Sequence, residues 1–263
     1  MTYILTHRGL DPSKKDYFAE SSREAFANQL ERGYGLEFDA LEHEGSFVAA
    51  HDADFSRITK NGCHIISLGC LAKLIVEKQS TQALSSFHLK SRVQDKSALD
   101  RILPLLPADP SKFIIFDVKI ETAEYLKKKN PGLQLAPSVA HPHDIERYNA
   151  VVGGTLYTVE EVLKHQGLFD WVWLDEWDTK DRSGEKKFYT KEVFKQLCRA
   201  GLKIALVTPE LHATSPGLLG GEVHEDARNY DSLMNRIREI LALKPDAVCT
   251  DYPDAVGELI KNL

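Results

Sequence analysis

Gly35-Leu36-Glu37-Phe38-Asp39 is the stretch on which the reading of the chain turns. In a β-strand, side chains two apart share a face, so Glu37 and Asp39 converge while Leu36 and Phe38 point the other way. Two acids forced together repel, which raises at least one pKa unless a cation sits between them. Shortly downstream, Phe47-Val48-Ala49-Ala50 reads as a second short strand that delivers His51 and Asp52. Upstream, Tyr3-Ile4-Leu5-Thr6 reads as a buried strand ending in His7-Arg8-Gly9. Between them lies a helix: Ser21 and Glu24 have capping-box spacing, Ala25, Phe26 and Leu30 form an apolar stripe, and Gly33 ends it. Strand, helix and strand make one β-α-β unit of about the usual ~30 residues.

The same alternation recurs along the chain. Candidate barrel strands start near residues 3, 35, 113, 134, 150, 171, 203 and 247, with helical patterns between them. Strands alternating with helices give a parallel sheet, and eight of them predict a (β/α)8 TIM barrel. A doubly wound open sheet is the alternative, but no Gly-rich phosphate loop follows the first strand. Residues 53–110, broken by Gly62, Gly69, Pro104, Pro107 and Pro110, read as a small insertion after the second barrel strand. This insertion carries its own helices near 70–78 and 97–103, within a single domain spanning 1–263. Charged residues stand just past the end of strand after strand: His7 and Arg8, Glu37 and Asp39, Asp117 and Lys119, His141 and His143, Asp175 and Glu176, Asp251. In barrels that rim is where active sites are built.

Composition narrows the partners. A net charge of −6 without any basic block or Arg-rich arm argues against nucleic acid. No apolar run approaches the roughly 18 residues of a membrane span, and no secretory signal is legible at Met1, so no stable membrane association and a cytoplasmic location are expected. Cys63, Cys70, Cys198 and Cys249 fit neither a zinc knuckle nor a disulfide framework. Cys198 and Cys249 read as buried free thiols. The oligomeric state is not legible.

If the strands close in this order, Glu37, Asp39 and Asp117 meet. Three carboxylates supply hard oxygen ligands, which select Mg²⁺, Ca²⁺ or Mn²⁺ rather than zinc. Arg8 and Lys119 beside such an ion would neutralise a phosphate. His7 and His51 titrate near neutrality and are the candidates for proton transfer.

In order along the chain, His7-Arg8-Gly9, Glu20-Ser21-Ser22 with Glu24-Ala25-Phe26, Gly35-Leu36-Glu37-Phe38-Asp39, His51-Asp52, Arg57-Ile58-Thr59, Asp117-Val118-Lys119, Pro245-Asp246-Ala247 and Thr250-Asp251-Tyr252-Pro253 form a specific set. On these motifs the chain resembles the glycerophosphodiester phosphodiesterases over nearly its whole length. The resemblance implies a TIM barrel with a small insertion after the His51 strand. It implies one divalent cation, Mg²⁺ or Ca²⁺ with Mn²⁺ a third candidate, at Glu37, Asp39 and Asp117. It further implies His7 and His51 as the acid–base pair, Arg8 and Lys119 as phosphate contacts, and Glu20 close behind the site. In that family a substrate hydroxyl next to the phosphate is thought to attack phosphorus, giving a cyclic phosphate that water opens. The expected substrate is a small phosphodiester.

Two departures stand out. The family commonly has Glu where this chain has Asp117. Many members also place a Trp-Thr pair on the seventh strand, where this chain reads Val207-Thr208-Pro209-Glu210-Leu211-His212. Asp175, Glu176 and Asp178 with Trp171, Trp173 and Trp177 offer acid plus aromatic surface for a cationic alcohol or sugar hydroxyls, or else a ring of salt bridges. His141, His143 and Asp144 read equally as a loop cap or a substrate contact. His43, His64, His88 and His165 receive no role. Two alternatives to a soluble diesterase are a phospholipase-type enzyme acting on lipid headgroups and a barrel that only binds a phosphorylated ligand.

Overall fold

The computed structural model describes residues 2–15, 17–152, 155–176, 180–181, 184–185, 187–214 and 224–263. The first barrel strand, Tyr3–His7, pairs in parallel with Gly35–His43 on one side and Ala247–Thr250 on the other. From the second strand the ring continues through Ser85–His88 and Phe113–Phe116 to Gln134–Ala136. Pro137, which has no N–H to give to a ladder, separates that strand from Ser138–Val139, which pairs with Trp171–Leu174. Trp171–Leu174 pairs with Lys203–Val207, and Lys203–Val207 pairs with Ala247–Thr250, which returns to the first strand. Counting Gln134–Val139 as one strand interrupted at Pro137, eight parallel strands close a TIM barrel among the described residues.

Two sequence expectations are corrected by this arrangement. The strand expected near 150 is the last turn of the helix Pro142–Val152. A three-residue apolar run does not distinguish the two states. The missing barrel strand is Ser85–His88, inside the stretch 53–110 expected to be an insertion. Its two serines hide it from a hydrophobicity pattern. They suit the site because the second and third strands approach closely: a Cβ on Gly35 would lie 1.7 Å from the Leu84 carbonyl oxygen. Ser85 Oγ accepts the Leu36 N–H at 3.0 Å and donates to Gln79. The insertion that does follow the second strand is shorter. It comprises the antiparallel return Ser46–Ala49 and the loop to Ser67, which caps the barrel helix Leu68–Lys78.

Alternate strand residues build two apolar layers. Leu36, Phe38 and Phe87 face outward, and Phe38 stacks on Phe87 at 5.4 Å and meets Phe26 of the helix Arg23–Glu31 edge-on. Leu5, Ile114, Phe116, Trp171, Trp173 and Ala205 fill the barrel interior. That plug leaves the carboxyl ends of the strands open for polar residues. The first helix is capped by Ser22, whose Oγ accepts the Ala25 N–H, one residue later than the capping-box reading. Ser21 takes a left-handed φ of 57°, and Glu24 instead accepts the backbone N–H and ring Nδ1 of His64 at 2.8 Å. Cys63 and Cys249 are buried; Cys198, expected to be buried, is exposed, as is Cys70, and all four are free thiols. No described helix is long and apolar enough to cross a membrane.

Candidate active site

The barrel mouth holds a pocket lined by His7, Arg8, Glu37, Asp39, His51, His88 and Asp175, together with the aromatic rings of Phe116, Tyr148 and Trp173. Register explains the convergence: His7 lies beside Glu37, Glu37 beside Ser86, and Asp39 beside His88. Glu37 and Asp39 therefore do share a buried face, as strand periodicity requires.

Arg8 sits in the left-handed region at φ 52°, followed by Gly9 at 72°. A Cβ on Gly9 would meet that of Ala25 at 3.0 Å, so the turn is pressed against the first helix. This geometry aims the Arg8 N–H at the Glu37 backbone carbonyl (3.1 Å) and at Glu37 Oε2 (3.3 Å). The guanidinium contacts Asp39 Oδ2 at 3.6 Å and Glu20 Oε2 at 3.3 Å. Glu20 bridges onward to Arg57 Nη2 at 2.7 Å, so it orients Arg8 from behind the pocket.

Asp39 is the hub. Beyond Arg8, its Oδ1 takes His88 Nδ1 at 2.9 Å and Lys90 Nζ at 3.1 Å. Burial alone would raise the Asp39 carboxyl, but Lys90 and His88 hold it well below the usual carboxylate range. Burial and the neighbouring Asp39 push Glu37 up to about 7, against Arg8 and His88. The conflict anticipated between these two acids is thus present, with Asp39 winning the charge. His88 in turn gives Nε2 to Asp117 Oδ2 at 3.2 Å, and although burial opposes it, Asp117 and Asp39 raise its pKa to about 9.

The proton-transfer candidates are both in the pocket. His7 Nδ1 lies 3.0 Å from Asp251 Oδ1, which fixes the orientation of the ring. Burial and Arg8 hold His7 well below its ordinary value. Burial also pulls Asp251 up to about 7. His51 Nδ1 lies 3.4 Å from Asp52 Oδ2, and burial lowers its pKa to about 3 despite the pull of Asp39. The His51 carbonyl is pinned by Lys90 Nζ at 3.0 Å.

Three sequence assignments change position. Among the described residues, Glu37, Asp39 and His88 are those whose ligand atoms lie within 4.8 Å of one another, and Asp117 stands behind His88. Lys119, expected beside the ion, is the N-cap of the helix Ile120–Lys129 and does not line the pocket. Its N–H goes to Gln94 Oε1 at 3.1 Å, and the lysine beside Asp39 is Lys90. Glu176 turns away from the pocket. It accepts the Phe188 and Tyr189 N–H groups at 2.6 and 3.0 Å and pairs with Arg236 at 2.6 Å, which makes it a structural anion. Asp175 does line the pocket, beside Trp173, and burial with Asp117 nearby raises it to about 8. His141 meets Phe188 edge-on at 6.2 Å. Trp177, Asp178, the loop 215–223 and the side chains of His143 and His212 lie outside the described residues.

The residues missed from sequence are His88, Lys90 and Asp251 as the partner of His7. A signal for the first two was available. Phe87-His88-Leu89-Lys90 and Phe116-Asp117-Val118-Lys119 share one pattern: an apolar residue, a metal-binding type, an apolar residue, then lysine.

Solved structures with this architecture align over the full chain. A candidate glycerophosphoryl diester phosphodiesterase from Agrobacterium tumefaciens matches at 16% identity and a TM-score of 0.65, covering 100% of this chain and 98% of that one. The fold is that of the glycerophosphodiester phosphodiesterases. A glycerophosphoryl diester phosphodiesterase from Parabacteroides distasonis matches at 16% identity and a TM-score of 0.61, covering 100% of this chain and 87% of that one. A phosphodiesterase from Oleispira antarctica, solved with the product sn-glycerol-3-phosphate, matches at 16% identity and a TM-score of 0.62, covering 99% and 97%. No protein-family model matches the chain, and no curated protein matches it in sequence.

Proposed function

We propose that this chain is a metal-dependent phosphodiesterase that hydrolyses a glycerophosphodiester, or a related small phosphodiester, to an alcohol and a phosphomonoester. The observation that carries the reading is the pairing of two buried acids, Glu37 and Asp39, with two histidines, His7 and His51, around one pocket at the mouth of the barrel. The residues fit a dication. Both Asp39 oxygens are buried and, despite the cations nearby, lack a well-formed hydrogen bond, and Glu37 is a carboxyl that burial and Asp39 have pushed up to about 7. Glu37, Asp39 and His88 would hold the ion, with Asp117 behind His88. Bound there, it would supply charge neutralisation for the phosphoryl oxygens.

The chain's own groups account for the proton movements. His7 and His51 rest neutral because burial disfavours their charged forms. An incoming phosphate anion favours the charged form of each ring. With substrate bound, one ring takes up a proton from solvent while the other stays neutral. The neutral ring takes the proton of the attacking hydroxyl as the new O–P bond forms, and the charged ring gives its proton to the leaving oxygen as its P–O bond breaks. Water then opens the cyclic phosphate with the two rings in exchanged roles. Asp251 holds His7 in orientation throughout. Arg8, with Glu20 behind it, faces the phosphate. The chain is expected to work without nucleic-acid or stable membrane partners and in the cytoplasm.

The test is a screen of glycerophosphoethanolamine, glycerophosphocholine and sugar phosphodiesters against the purified protein, reading the alcohol released with and without EDTA. Hydrolysis lost to EDTA and restored by a dication is the expected outcome. Turnover that survives exhaustive chelation would remove the metal from the reading, and no hydrolysis of any diester would favour the ligand-binding barrel.

A further inference from the structure

Resting on the reading that Glu37 and Asp39 hold a dication, we infer that the site selects a transition-metal ion of the Mn²⁺-to-Zn²⁺ series over Mg²⁺ and Ca²⁺, because its third donor is the Nδ1 nitrogen of His88. Mg²⁺ and Ca²⁺ are hard cations served by oxygen ligands. An imidazole nitrogen added to carboxylates shifts preference toward the borderline transition metals.

Four features of the structure support His88 as a ligand rather than a bystander. Its Nδ1 and Asp39 Oδ1 are 2.9 Å apart. Adjacent ligands on a six-coordinate ion with bonds of about 2.1 Å sit roughly 3 Å from each other, so the two atoms already have ligand spacing. The opposite ring nitrogen is 3.2 Å from Asp117 Oδ2. A carboxylate on the distal nitrogen is the usual device that fixes a metal-binding imidazole and raises its basicity. Asp117 is itself held in place, with its backbone left-handed at φ 62° and its carbonyl accepting Gln94 Nε2 at 2.7 Å. The ring is also clamped by Phe116, stacked at 4.7 Å with an interplanar angle of 18°. Both Asp39 oxygens, in a residue only 1% exposed, lack a well-formed hydrogen bond and remain able to coordinate.

The experiment uses the full chain loaded with Mn²⁺, the weakest binder of that series and therefore the most demanding probe. Pulsed electron paramagnetic resonance of the bound Mn²⁺ should show coupling to a directly bound histidine nitrogen, and His88→Glu should abolish it. Calorimetric titration should find Mn²⁺ bound about tenfold or more tightly than Mg²⁺ in the native chain, with the gap closing in His88→Glu. Asp117→Asn should weaken Mn²⁺ by about 10–100-fold while keeping the nitrogen signal. His88→Gln, with circular dichroism as a check on folding, gives the same spectral test should His88→Glu not fold. Equal affinity for Mn²⁺ and Mg²⁺, or a nitrogen signal that survives both His88 variants, overturns the inference while leaving the phosphodiesterase reading intact. Failure to bind any dication, with diester hydrolysis persisting, overturns the inference and the metal requirement together. The His88 imidazolium, Lys90 and Arg8 would then be what neutralises the acids.

Discussion

Lys90→Met and Lys119→Met make a matched pair, because the two lysines end the same sequence pattern and only one reaches the site. Lys90 Nζ is 3.1 Å from Asp39 Oδ1, with side chains 14% and 1% exposed, and 3.0 Å from the His51 carbonyl. Removing it leaves Asp39 with His88 and Arg8 as remaining cations, so the loss falls short of that for a fully orphaned buried charge. Losing one of the three cations around a buried carboxylate costs less than the roughly 3–5 kcal/mol of orphaning it, and a loss of about 1.5–3 kcal/mol converts to about 10–150-fold. Two consequences follow. Asp39 loses the leading cause of its depressed pKa, so its carboxyl rises toward the ordinary range. Dication affinity, measured by calorimetric titration, should hold or rise, because Lys90 and the ion compete for the same Asp39 carboxylate, whereas kcat/KM on the preferred diester should fall by that factor. Lys119→Met, which removes a side chain outside the pocket, should stay within about 0.5 kcal/mol, or roughly twofold. Full activity in Lys90→Met, or an equal or larger loss in Lys119→Met, would refute the assignment of the cation to the third barrel strand.

The remaining predictions concern pH and stability. Asp175 is buried at the pocket and raised to about 8 from an ordinary value of 3.8. The folded chain therefore binds a proton there that the unfolded chain releases near pH 4. Stability of the chelated protein should be present below about pH 4 and fall progressively as pH rises through 8. Asp175→Asn should flatten that dependence in thermal melts, and an unchanged slope would show that another buried acid carries it. Arg236→Met strips a cation, 5% exposed, from Glu176 on the far side of the sixth strand. It should destabilise the fold by about 3–5 kcal/mol, or roughly 6–20 °C in Tm, with kcat/KM per folded molecule unchanged. Lost turnover at unchanged stability would put Glu176 back among the substrate contacts.

The sequence carried the architecture and half of the site because those features are local. Period-two alternation placed Glu37 and Asp39 on one face, and the apolar run Tyr3–Thr6 ended where His7 and Arg8 had to reach the rim. Strong β-formers such as Phe113–Phe116, Trp171–Leu174 and Lys203–Val207 announced their strands. Ser85–His88 did not, since half its residues are serines suited to close packing against Gly35 and Leu84 rather than to burial of apolar surface. Ala150–Val152 failed in the opposite sense, a β-branched run that its helix absorbs.

Without a strand at 85–88, Asp117 and Lys119 stand next in line after Asp39, ahead of the similar pattern at His88 and Lys90. Side-chain type and spacing determine that a chain can offer acids, imidazoles and cations at strand ends. Which of them meet is set by strand order and register, and pairing Asp39 with His88 is a contact between residues 49 apart that no local pattern encodes. The tertiary structure alone puts an imidazole, rather than a third carboxylate, against the two acids, because the barrel closes with the third strand beside the second.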